Sequence, residues 1–168
     1  QVCAAGISRT FQIVKPFAGL SVLDNVIVGA LHRAADVLEA RRDAEHILDQ
    51  LGLSAKRDLP AATLTLPERK RLEVARAFAT RPKLLLLDEV LAGLRPAECD
   101  DMVSVLRAIH QRDGMTIILI EHVMRAVMAL AQTVVVLHHG EVIARGTPAE
   151  IVRDPAVLES YLGEDTEL

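Results

Sequence analysis

The chain has 168 residues, about half of them apolar and a quarter charged, which is the balance of a globular protein of roughly one domain. Its formal charge of −4 argues against a sequence-independent grip on nucleic acid, and with no Trp, one Tyr and three Phe it lacks an aromatic platform for stacking single strands. Cys3 and Cys99 follow no metal-ligand or redox spacing, and the longest uncharged apolar runs are strand-sized. Two reduced thiols in a cytosolic protein without a spanning helix or signal peptide are therefore expected.

Apolar residues recur at three- and four-residue spacing from Ser21 to Arg33 and from Ala35 to Leu51, which predicts two amphipathic helices, the second stopped by Gly52. Ser54 to Thr63 reads as a loop, and Pro67 to Thr80 as a third helix. Lys83 to Glu89 and Met115 to His122 are short apolar runs ended by polar groups, with a proline-started helix from Pro96 to Gln111 between them. Strand, helix, strand with apolar strands predicts a parallel sheet covered on both faces. Val134 to His138 and Glu141 to Arg145 predict a hairpin turning at His139-Gly140, followed by two short helices near Pro148 to Arg153 and Pro155 to Leu162.

In open parallel sheets, ligands sit beyond the carboxyl ends of the strands. Two predicted strands end there in Asp88-Glu89 and in Glu121-His122. A strand ending in two acids suits magnesium-nucleotide hydrolysis, with one acid for the hydrated ion and its neighbour for a water. Alone, the same ending reads equally as solvated acids, and a His after a strand reads more readily as structural. Thr65 and Glu68 are spaced as a capping box at the start of the third helix, and such a start offers unpaired N–H groups and partial positive charge to an anion. Arg69, Lys70 and Arg71, which follow, read as a solvated basic turn.

Gly6 to Gln12 ("GISRTFQ"), Leu64 to Leu94 ("LTLPERKRLEVARAFATRPKLLLLDEVLAGL") and Leu119 to Met124 ("LIEHVM") together resemble ATP-binding subunits of ABC transporters. The tail from Gly140 to Gly163 is similar to the subgroup that energises uptake of branched-chain and other hydrophobic amino acids. The resemblance implies an α/β fold, a P-loop NTPase-like, mostly parallel sheet with an inserted helical subdomain. It divides the chain into 1–16 (end of the nucleotide-binding core), 17–62 (helical subdomain), 63–146 (signature helix and catalytic core) and 147–168 (C-terminal helices).

Residue by residue, the resemblance implies that Gln12 contacts Mg²⁺ or the attacking water, Asp88 holds Mg²⁺, Glu89 is the general base and His122 hydrogen-bonds the γ-phosphate of ATP. Thr65, Leu66 and Glu68 stand in the signature turn that meets ATP bound by a second nucleotide-binding subunit, identical or paralogous. The other implied partners are membrane permease subunits and, indirectly, a periplasmic or extracellular solute-binding protein. The implied location is cytoplasmic, peripheral on the inner face of the plasma membrane.

Three departures from the family pattern carry expectations of their own. No G-x-x-x-x-G-K-S/T occurs in the chain, so a phosphate-binding segment is expected before Gln1 in the natural protein, and these residues alone are expected to be inactive. Val90 replaces the usual proline, and Arg95 stands where an acid is common. In the signature turn, Leu66 replaces a glycine, Pro67 removes a donor and Glu68 adds negative charge. A soluble ABC-type ATPase outside transport, or a degenerate regulatory subunit, is the alternative reading.

Overall fold

A computed structural model describes residues 2–10 and 15–164. They fall into two compact units, residues 1–122 and 123–168.

The first unit contains a parallel sheet of three strands, β1 (Ile7–Arg9), β2 (Leu84–Asp88) and β3 (Thr116–Ile120), in spatial order β1-β2-β3. Leu84 lies opposite Ile7 on one side and Thr116 on the other, so all three strands end at one edge. The helices are α1 (Val22–Ala30), α2 (Val37–Gln50), α3 (Leu66–Phe78) and α4 (Pro96–Asp113), with short 3₁₀ turns between them. Leu85 and Leu87 of β2 are buried, as are Leu48, Leu72, Met102 and Leu106 from three helices. Each such side chain contributes about 1.5–3 kcal/mol of burial. The expectation of a sheet covered on both faces is corrected at β3, where Ile118 and Ile120 are 50% and 61% exposed. The β-branched run specified a strand there, but pattern alone does not supply an element to cover its outer side.

The predicted helices form within a few residues of their expected limits, for identifiable local reasons. Helix α2 ends in a Schellman turn: Leu53 N–H donates to the Leu48 carbonyl at 2.8 Å and Gly52 N–H to the Asp49 carbonyl at 3.1 Å. Gly52 has φ +67°, which a side chain would oppose. Asn25, fully buried on α1, donates to the Phe17 and Ser21 carbonyls and accepts from Phe17 N–H at 2.9 Å, fastening the segment that leads into the helices. Gly29 of α1 meets α3 so closely that an added Cβ would lie 2.5 Å from the Arg76 carbonyl oxygen.

In the second unit, α5 (Met124–Leu130) precedes a hairpin of β4 (Val134–His138) and β5 (Glu141–Gly146), then α6 (Pro148–Ile151) and α7 (Pro155–Glu164). Ala144, Ile151 and Val157 form its core against Val134, Val136 and Ile143. The hairpin turns at His139-Gly140, both at positive φ, as expected.

One device recurs at the helix starts. Glu39 of α2, Glu68 of α3, Glu98 of α4 and Glu150 of α6 each turn back to accept a backbone N–H just before their helix, from Ala35, Thr65, Arg95 and Thr147 respectively. All four carboxyls are held below the usual carboxylate range. Backbone donation leads for Glu39 and Glu150, and the Arg95 side chain for Glu98. For Glu68, burial pushes upward but is outweighed by hydrogen bonds from Lys56 and Thr65.

Candidate functional site

The carboxyl edge of the sheet gathers the polar residues that the sequence placed at strand ends. Asp88 lies opposite Ile120 in register, and Glu89 N–H donates to the Ile120 carbonyl at 2.9 Å. Glu121 and His122 continue from β3, so the two acidic ends and the His converge on one edge. From β1, fully buried Thr10 accepts the Asp88 N–H at 3.1 Å on its hydroxyl, while its own N–H donates to the Leu86 carbonyl. Arg9 donates to Asp88 Oδ2 at 2.7 Å. Glu89 has φ +49°, a backbone state that costs a non-glycine residue about 1–3 kcal/mol. Gln12 falls outside the described residues.

Asp88 offers a hard, partly exposed carboxylate oxygen at this edge. Among the described residues no cluster of three or more His, Cys, Asp or Glu is placed to hold a metal ion. That donor set fits Mg²⁺, which takes one or two carboxylates and completes its octahedron with water and phosphate oxygens.

Glu121 is the perturbed acid of the site. Burial pushes its pKa up, against the Leu91 N–H donated to Oε1 at 2.8 Å, and Oε2 is buried without a hydrogen-bond partner. An acid whose folded pKa is raised contributes stability that is full below its unfolded value and is lost as pH rises through the folded one. Glu121→Gln keeps an acceptor for Leu91 and removes the charge. The variant should melt with the parent near pH 4 and above it near pH 8, as read by thermal unfolding across that range.

At the start of α3, Thr65 and Glu68 close the expected capping box. The Glu68 carboxylate is also ion-paired with Lys56, so its charge is balanced within the chain. Pro67 has no N–H, Glu68 N–H is taken by the Thr65 hydroxyl, and Arg69 N–H donates to the Thr65 carbonyl. The Thr65 side chain also hydrogen-bonds the Glu68 carboxylate, so the turn presents the Leu66 N–H, on an exposed residue. Thr65→Ala should cost about 1 kcal/mol of stability through the lost cap, measured by denaturant unfolding.

The reading of 69–71 as a solvated basic turn is corrected. Lys70 is only 4% exposed and its Nζ donates to the Glu89 carbonyl at 2.9 Å, while Arg71 reaches the Leu51 carbonyl and Asp101. The helical repeat turns Lys70 to the same face as buried Glu73, Val74 and Ala77. Arg95 folds back on Glu98, with its Nε at 2.9 Å and Nη2 at 2.6 Å from Oε1.

A cleft of about 340 Å³ opens at the far end of α3, lined by Asp43 and His46 of α2, Phe78, Arg81, Arg112 and Met115 among others. Pro82 and Met115, which precede β2 and β3, place it at the amino edge of the sheet, opposite Asp88 and Glu89.

Residues 2–92 match the family model described as "ABC transporter", and residues 141–167 the model described as "Branched-chain amino acid ATP-binding cassette transporter". The chain is 34% identical to the high-affinity branched-chain amino acid transport ATP-binding protein BraF of Pseudomonas aeruginosa, over 98% of this chain and 70% of that protein. This chain belongs to the ABC transporter family. LivG of Escherichia coli, another high-affinity branched-chain amino acid transport ATP-binding protein, is 32% identical over the same shares. The lipopolysaccharide export system ATP-binding protein LptB of Escherichia coli is 35% identical over 97% of this chain and 68% of its own. Among solved structures, the ADP conformation of MJ1267, an ATP-binding cassette of an ABC transporter, has a TM-score of 0.82 at 28% identity, covering 96% of this chain and 70% of that one. CbiO1 of Clostridium perfringens, part of the ABC transporter complex cbiONQ, has a TM-score of 0.81 at 27% identity, covering 98% and 68%.

The fold is accordingly that of an ATP-binding cassette, a P-loop NTPase-like α/β architecture. Four residues of this ABC cassette were not singled out from sequence as site residues: Arg9, Thr10, Lys70 and Glu121. Arg9 and Thr10 lay within the quoted stretch Gly6 to Gln12, and Lys70 shared a helical face with apolar residues.

Proposed function

We propose that the protein is the ATP-hydrolysing subunit of an importer for branched-chain or related amino acids. The observation that carries the catalytic part is the convergence of Asp88, Glu89 and His122 at the carboxyl edge of the parallel sheet. Asp88 and Gln12 would hold Mg²⁺, which neutralises phosphate charge when bound. Glu89 accepts a proton from the water that attacks the γ-phosphorus, as the bond to the ADP oxygen breaks. His122 donates a hydrogen bond to the γ-phosphate. Leu66 offers its N–H to ATP on a second nucleotide-binding subunit, with Thr65 and Glu68 holding the turn in shape. The 168 residues contain no Walker A sequence, so by themselves they bind ATP weakly, a reading that tight, magnesium-dependent binding in calorimetry would overturn.

The cargo reading rests on the match over 141–167, since the lipopolysaccharide exporter relative is as similar over the cassette as the amino acid relatives are. Residues 17–62 serve as the helical subdomain that meets the permease. Exposed apolar Val28, Leu31, Val37 and Leu38 around the α1–α2 corner support this, as does the cleft beside α2. The subunit works on the cytoplasmic face of the plasma membrane, with a solute-binding protein delivering cargo on the other. The deciding experiment is reconstitution of the full-length protein with its permease and binding protein. Leucine, isoleucine or valine should stimulate ATP turnover, and a complex indifferent to all three would refute the cargo assignment.

A further inference from the structure

Lys70 is a lysine taken out of water on the helix that starts with the signature turn. A buried ammonium must be hydrogen-bonded, and an isolated one is costly. Its acceptor here is the backbone carbonyl of Glu89, at 2.9 Å. The Glu89 peptide on the other side is held by the Ile120 carbonyl of β3, also at 2.9 Å. Glu89 is thus fixed in its positive-φ state from two elements, one of them α3. The turn that follows is gripped in the same way: Glu121, just after β3, accepts the Leu91 N–H, and an added Cβ on Gly93 would lie 3.1 Å from Leu66 of the signature turn. Leu66 and Lys70 are one helical turn apart, on one face of α3.

We propose that Lys70 is a positioning residue for Glu89, setting the backbone of the general base from the helix whose first turn faces the partner's nucleotide. The proposal rests on the reading of Glu89 as general base. Its consequence is that the seat of this chain's own general base and the turn offered to the neighbouring subunit belong to one helix. A displacement of α3 by nucleotide on the partner is carried to Glu89 through the Lys70 side chain. The Lys70 ammonium takes no part in the bond changes.

The test uses the full-length protein assembled with its permease. Lys70→Met keeps the length and apolar stem and removes the donor. It should lower kcat by about 10- to 100-fold, the order expected when a reacting group is misplaced by a fraction of an ångström to an ångström, with KM for ATP unchanged. In the nucleotide-free protein the same variant should speed hydrogen exchange of the amides at 89–92 and leave those of α2 and α4 as they were. Wild-type kcat, or unchanged exchange at 89–92, overturns the proposal. If Lys70→Met does not fold, Lys70→Arg decides: it retains a cationic donor, so near-wild-type turnover supports the role and anything less overturns it. Glu89→Gln separates the two levels of the argument. Turnover lost in Glu89→Gln but kept in Lys70→Met overturns the Lys70 role alone, whereas turnover kept in Glu89→Gln overturns the general-base reading and this proposal with it.

Discussion

Glu89→Gln is expected to reduce ATP turnover of the complete protein by about 10²–10⁴-fold, the range that a positioned general base supplies. The amide preserves the size of the side chain and cannot accept the proton of the attacking water. Binding is expected to survive, because Asp88, Thr10 and the sheet register that set the edge are untouched. The variant should therefore retain ATP without consuming it, read as a collapsed kcat beside an unaltered affinity in equilibrium binding. The location of Glu89 strengthens the expectation. A positive-φ glutamate persists where its surroundings over-determine it, and such strain concentrates at functional positions. If Glu89→Gln hydrolyses ATP at the parent rate, the general-base assignment is wrong.

A loss of stability is expected at Gly29→Ala. On an isolated helix this exchange favours folding by about 1 kcal/mol, since alanine is the better helix former. Here the new methyl would stand 2.5 Å from the Arg76 carbonyl oxygen and 3.2 Å from Ala79 Cβ. The obstacle is backbone, which cannot swing aside as a flexible side chain would, so α1 and α3 must separate. Overpacking of this kind costs about 1–3 kcal/mol and at times more, which outweighs the propensity gain. We expect a net loss of about 1 kcal/mol in denaturant unfolding, with a fall in the melting temperature of about 2–4 °C for a chain of this size. A neutral or stabilised Gly29→Ala would mean that the α1–α3 crossing is looser than the contact indicates.

Much of this architecture was legible in the residues, because continuous apolar runs and strong punctuation specify it. β2, β3 and β4 were marked by runs of aliphatic residues, the hairpin turn by His139-Gly140, and α4 by proline at its start and Gly114 after its end. Two elements were not foreseen. β1 contributes three residues to the sheet, too few for a period to show, and α5 runs for seven residues behind a Val123 that makes no side-chain cap. At the site, strand endings drew attention to Asp88, Glu89 and His122 because parallel sheets bind ligands at that edge, and the resemblance supplied the roles expected of them. Lys70 was misjudged because it stood in a run of three cations, where charge suggested water. Counting forward three, four and seven residues to Glu73, Val74 and Ala77 would have turned it inward. Thr10 was missed because its task, receiving the Asp88 amide, depends on a register between β1 and β2 that no local pattern records.

The four glutamates that turn back at the starts of α2, α3, α4 and α6 give the molecule a shared weakness to protons. Each binds a proton less readily when folded than when unfolded, so each adds stability at neutral pH and surrenders it as pH falls through its lowered value. The four losses share one direction and one chemistry, although the groups lie on separate helices. Acid therefore withdraws support from four helix starts, each through protonation of a carboxylate that had been holding a backbone N–H.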